Sequence, residues 1–242
     1  MALSCGGSIW EQAQRGVAVS VWTICAGEPP EGPLSPFAEK LHERWQTGRG
    51  AVTQRRGEDL ASCAAMEATP GHFHIPDCIY RRSELDGVAL YTSESAIMGP
   101  VHPQEAPLVE QLCRELDRRL PKDAEIIAPL ALGGHVDHRL TRQAAQGLGR
   151  PLWYYADVPY VLSRAEELKK LVESGWKATI YPVTEAGLAA WQAAVAAHAS
   201  QISTFWPDLD SMEAAISAYR RKNQGVRLWQ VPRGLLTDIS IA

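Results

Sequence analysis

Short apolar runs alternate with amphipathic stretches along most of the chain, a pattern that predicts strands and helices taken in turn. Residues 17–25 (VAVSVWTIC) are β-branched and apolar on both faces, as in a strand buried in a parallel sheet. Ser35-Pro36 supplies an N-cap and first-turn pair, after which Phe37, Leu41 and Trp45 recur along one helical face. A second helix is expected over 52–66, a short strand within 72–80, and loop or edge strand over 86–93. At 104–120 the residues Leu108, Val109, Leu112, Leu116 and Leu120 form one apolar stripe, the mark of an amphipathic helix. Residues 125–129 read as a strand and 130–135 as a loop with Gly133-Gly134. Residues 136–147 then read as a helix with Leu140, Ala144 and the following Leu148 turned inward. Strands at 151–155, 179–183 and 226–230 alternate with helices at 164–174, 185–198 and 211–222. The opening Ser4-Cys5-Gly6-Gly7-Ser8 is expected to be a glycine-rich turn running into a helix that ends near Gly16.

This alternation predicts an α/β fold with a doubly wound, mainly parallel sheet. No repeat, low-complexity tract or linker divides the sequence, so residues 1–242 are expected to form one domain. Apolar residues make up 45% and charged residues 21%, ordinary for a globular protein, and the formal charge of −4 argues against nucleic acid as a partner. The pairs Arg55-Arg56, Arg81-Arg82 and Arg118-Arg119 are scattered and read as solvated faces. Five widely spaced cysteines include no C-x-x-C pair, which excludes a cysteine zinc knuckle and suits reduced, mostly buried thiols. No apolar run approaches the ~20 residues of a membrane span, and the N-terminus has no secretory pattern. The expectation is a cytoplasmic protein with no membrane partner.

The sharpest chemical signal is Gly133-Gly134-His135-Val136-Asp137-His138. Two imidazoles three residues apart at a helix start can face one way, at the carboxyl end of a strand, where open α/β sheets bind ligands. Asp137 can fix a ring tautomer by hydrogen bonding, and the glycines allow close approach. Two histidines do not complete a zinc site, which needs a third protein ligand. His72 and His74, alternating on a strand, are candidates; His42, His102 and His198 also remain, and for all five a structural role is the simpler reading.

Three segments together resemble the PIG-L/LmbE-like family of zinc-dependent N-deacetylases: Leu3-Ser4-Cys5-Gly6-Gly7, Arg56-Gly57-Glu58-Asp59-Leu60 and His135-Val136-Asp137-His138. Their order and the intervening strands match over most of the chain. The resemblance implies a Rossmann-like three-layer fold and hydrolysis of an acetyl group from an N-acetylglucosaminyl or related amide, a small-molecule substrate. It implies zinc as cofactor, His138 as metal ligand, His135 as the imidazole at the oxyanion and leaving amine, Asp137 as its orienting partner, and Arg56 as a substrate contact. For Arg56 a salt bridge to Asp59 or Glu58 is the equal alternative. The family's first motif, histidine, any residue and two aspartates, would precede the Leu3–Gly7 segment, where Met1 and Ala2 stand. That departure leads to the expectation of a truncated chain lacking its first strand, with an incomplete metal site and no activity as it stands. The alternative is a non-catalytic binding or scaffold protein on the same fold. A dinucleotide-type site is not supported, since no G-x-G-x-x-G follows a strand.

Overall fold

A computed structural model describes residues 1–231 except 46, 47 and 49. In chain order the elements are α1 (Ala2–Gln14), β1 (Ser20–Thr23), α2 (Pro36–Trp45), α3 (Ala51–Ala65), β2 (Thr69–His72), α4 (Glu94–Ile97), α5 (Ala106–Arg119), β3 (Ile126–Pro129) and α6 (Val136–Gly147). There follow β4 (Leu152–Tyr155), α7 (Ala165–Glu173), β5 (Lys177–Tyr181), α8 (Glu185–Ala196), α9 (Ala199–Phe205), α10 (Leu209–Asn223) and β6 (Val226–Gln230). They group into two compact units, Met1–Ile97 with Tyr181–Val226, and Met98–Ile180 with the described residues from Arg227 to Val231. No helix among the described residues is long and apolar enough to cross a membrane.

In the first unit β1 and β2 pair in parallel, Ser20 opposite Thr69 through Thr23 opposite His72. Helix α1 packs chiefly on α8. Gly6 and Gly7 lie inside α1, not in a turn ahead of it, which corrects the sequence expectation. The reason is close approach: a Cβ at Gly6 would stand 2.6 Å from Trp191 Cδ1, and one at Gly7 2.8 Å from Val183 Cγ1. Trp191 is fully buried there and its indole N–H donates to the Leu3 carbonyl at 3.2 Å. Buried Glu11 accepts from the Thr184 amide and hydroxyl, both at 2.7 Å, which fixes the start of α8 against α1. The strand expected within 72–80 ends instead at His72. Beyond it Asp77 caps a single 3₁₀ turn, Cys78–Tyr80, by accepting from the Ile79 amide at 3.2 Å.

In the second unit α5 packs against α6 and α6 against β3. Leu112, Leu116, Leu140 and Ala144 are buried, as the apolar stripes predict. Strand β3 pairs with β4 in parallel, and β4 with β6 antiparallel, Tyr154 opposite Trp229. The four-strand order β3-β4-β6-β5 is therefore mixed. Ahead of β6, helix α10 of the first unit ends on Gln224 in the left-handed conformation (φ 59°) followed by Gly225 (φ 130°). These two residues close the helix with bonds to the Arg220 and Arg221 carbonyls.

Candidate functional site: the histidine turn at the start of α6

The segment from β3 into α6 is a tight turn held at both ends. The Leu130 amide donates to the Tyr155 carbonyl at 2.9 Å, and the Gly134 amide donates to the Ala131 carbonyl at 2.9 Å. Ala131 and Gly134 both carry positive φ, 59° and 78°. Gly133 has another reason for its identity, since a Cβ there would meet the Tyr160 ring at 2.5 Å. His135 is the N-cap of α6, its Nδ1 accepting from the Asp137 amide at 3.3 Å. That bond comes from the backbone of Asp137, a residue that is 8% exposed.

One turn into the helix, His138 presents its Nδ1 at 2.6 Å from Asp157 Oδ1. Asp157 is 1% exposed, and its other oxygen accepts from the Leu132 amide at 3.0 Å. The rings of His135 and His138 lie 5.6 Å apart, centroid to centroid, and Tyr160 stands edge-on to His138 at 6.3 Å. Burial, and after it the Asp157 charge, pushes the Tyr160 phenol above its usual pKa. Behind the turn, buried Arg142 donates from Nη1 to the Leu130 carbonyl at 2.8 Å and lies over the rings of Tyr154 and Trp176. Sequence reading brought forward His135, Asp137 and His138, which the fold gathers in one helical turn. It missed Asp157, whose signal was present: an acidic residue just past an apolar strand, at the carboxyl end where ligands bind.

Arg56 belongs to the first unit and lines a cavity of about 180 Å³ there, together with Arg55, Asp59, His72, Tyr80 and His198. Its Nε donates to the Ala26 carbonyl at 2.8 Å, and its nearest acidic partner is Glu28 at 3.8 Å. The expected alternatives, Asp59 and Glu58, are engaged elsewhere. Asp59 Oδ2 accepts from Thr23 Oγ1 (2.8 Å) and His72 Nε2 (2.7 Å), and Glu58 accepts from the Ser200 amide and hydroxyl. Arg55 stacks over Trp45 at 4.4 Å and lies 3.8 Å from Asp77. Of the other histidines, His42 pairs with the Tyr80 hydroxyl at 2.6 Å, His102 caps a 3₁₀ turn, and His74 is exposed.

No protein-family model matches the chain, and no curated protein matches it by sequence. Solved structures do match. The chain is similar to the zinc-inhibited form of teicoplanin deacetylase Orf2, with 23% identity, a TM-score of 0.74, and coverage of 94% of this chain and 92% of that one. It is similar to a deacetylase–teicoplanin complex at 25% identity and TM-score 0.74, covering 95% and 92%. It also resembles the A40926 pseudoaglycone deacetylase Dbv21 at 24% identity and TM-score 0.68, covering 98% and 94%. The likeness to this kind of deacetylase, first visible in three short motifs, extends over nearly the whole fold.

Proposed function

We propose that this chain is a metal-dependent N-deacetylase, one PIG-L/LmbE-like domain built on a Rossmann-like frame, that hydrolyses an N-acetylglucosaminyl-type or related amide. The observation that carries this reading is the histidine turn. Two imidazoles 5.6 Å apart start a helix at the end of a strand, within a fold shared with solved deacetylases. The molecules named with those relatives, teicoplanin and the A40926 pseudoaglycone, are the support for an N-acetylated small molecule as the substrate class here.

The donor chemistry of the turn fits zinc in part. His138 has Nδ1 committed to a carboxylate, which leaves Nε2 as the nitrogen to ligate, the arrangement common to zinc-binding imidazoles. Zinc, when bound, polarises the acetyl carbonyl and brings the pKa of a water toward ~7. The rest is done by side chains. His135 accepts the Asp137 amide at Nδ1, so its ring proton sits on Nε2, from which the neutral ring can hydrogen-bond a developing oxyanion. Arg56 spends Nε on the Ala26 carbonyl and directs Nη1 toward Glu28 at 3.8 Å, and its role in the reading is to offer the guanidinium to sugar hydroxyls.

The test is acetate release and primary amine formation from N-acetylglucosaminyl glycosides with added Zn²⁺, alongside metal analysis. In a chain given a histidine and two aspartates ahead of Leu3, His138→Ala is expected to lose zinc and turnover together, and His135→Ala to keep zinc and turn over ~10²-fold or more slowly. Such a chain that neither binds zinc nor releases acetate from any such amide would sink the reading and favour a binding role on the same fold.

A further inference from the structure

Asp157 enters the reading above only as the carboxylate beside His138, yet it is among the most buried of the described residues, at 1% exposure. An ionised carboxylate is expensive to bury unless its lone pairs are used. Here both oxygens are used, and in different directions. Oδ1 is 2.6 Å from His138 Nδ1, in the first turn of α6; Oδ2 accepts the Leu132 amide at 3.0 Å, in the loop leading to His135. The backbone of Asp157 is pinned as well, its carbonyl accepting from the Val161 amide at 2.9 Å. A further anchor of the loop is Arg142, which donates to the Leu130 carbonyl two residues before Leu132.

We infer that Asp157 is a positioning residue that sets the tautomer of His138 and joins it to the loop that carries His135. The argument is one of donors and acceptors. A carboxylate only accepts, so at Oδ1 the His138 ring must present Nδ1–H. The neutral ring then holds its lone pair on Nε2, whether or not a metal is present. Because Oδ2 is taken by a backbone N–H that can only donate, the carboxylate cannot rotate to relax this demand. The inference rests on the deacetylase reading for the use made of Nε2, but the tautomer is a property of the protein alone.

Asp157→Asn separates the two demands. Its single amide oxygen can serve the Leu132 amide or His138, not both. With the oxygen on Leu132, the amide NH₂ faces Nδ1 and forces the ring to carry its proton on Nε2. The experiment is ¹⁵N-edited NMR of the histidine rings in metal-free protein at pH 8, with His138 assigned by its loss in His138→Gln. The wild type is expected to show Nδ1–H and an unprotonated Nε2. Asp157→Asn is expected to show Nε2–H and to bind Zn²⁺ roughly 10–100-fold more weakly. A proton on Nε2 of wild-type His138, in a neutral or charged ring, overturns the inference, and so does a folded Asp157→Asn that keeps both the Nδ1–H form and a Leu132 amide as protected as in the wild type. The wild-type spectrum decides even if the variant does not fold. If the tautomer is as expected but no amide is cleaved, the positioning role stands and the deacetylase reading falls.

Discussion

Thr23 and His72 sit on neighbouring strands and donate to the same oxygen of Asp59, Oδ2, at 2.8 and 2.7 Å. Asp59 comes from α3, so one carboxylate oxygen ties a helix to both strands of the β1–β2 pair. Because the two donors converge on one atom, an amide oxygen in its place could serve both. Asp59→Asn should therefore cost under ~1 kcal/mol, while Asp59→Ala, which strands two partly buried donors, should cost about 1–3 kcal/mol. Urea unfolding distinguishes them. Equal losses in the two variants would mean that the charge, not the geometry of acceptance, is what matters.

The two glycine environments in helices call for opposite outcomes. At Gly6 an added Cβ meets the fully buried Trp191 at 2.6 Å, and neither the indole nor the helices can give way without repacking. Gly6→Ala should destabilise by about 1–3 kcal/mol. At Gly57, in the middle of α3, nothing lies within 4 Å, so Gly57→Ala should stabilise by about 0.5–1 kcal/mol through chain entropy alone. Thermal melting of both variants beside the wild type checks the pair, and a shift of the same sign in each would contradict it.

The same glycines show where sequence reading stopped. A local rule makes Gly6-Gly7 a turn; the residue that requires them, Trp191, is far away in sequence, and no local pattern reports it. The α6 helix was read to its ends, 136–147, because its punctuation is local: glycines before it, His135 at the N-cap, Gly149 after it. Helix α9 has no local signal, since the alanine-rich run reads as continuous to 198, whereas α8 stops at Ala196 and His198 is the N-cap position of a new helix. Side-chain partners were the least legible. Arg56 turned to Glu28 and the Ala26 carbonyl, both on a loop whose path depends on tertiary packing.

His198 makes stability depend on pH. Burial chiefly holds its imidazole below the ordinary value of 6.5, with the charges of Asp59 and Glu58 pulling the other way. The unfolded chain therefore takes up this proton first as the pH falls. The contribution to stability is fully present above about pH 6.5 and is lost as the pH drops through the lower, folded value. His198→Gln removes this source of acid sensitivity. Between pH 7.5 and 5 the wild type should lose more melting temperature than the variant; equal losses would show that His198 is not protonated differently in the two states.

Arg142 is the support under the histidine turn. The residue is 9% exposed, and burial holds its pKa below the usual arginine value while Tyr154 and Asp157 offset part of that cost. Nη1 donates to the Leu130 carbonyl, and the guanidinium carbon lies 5.3 Å from the Tyr154 ring centre and 5.9 Å from that of Trp176. Arg142→Met keeps the apolar stem but leaves that buried carbonyl without its donor, which should cost about 1–3 kcal/mol. Arg142→Lys keeps a charge and a donor, yet a compact ammonium cannot lie flat over two rings while reaching the carbonyl, so it should recover only part of the loss. The loop supplies the more telling readout. The Leu132 amide, bonded to Asp157 just beyond Leu130, should exchange with solvent faster in both variants than in the wild type. Unchanged exchange at Leu132, with stability lowered, would mean that Arg142 holds up the sheet and leaves the histidine turn alone.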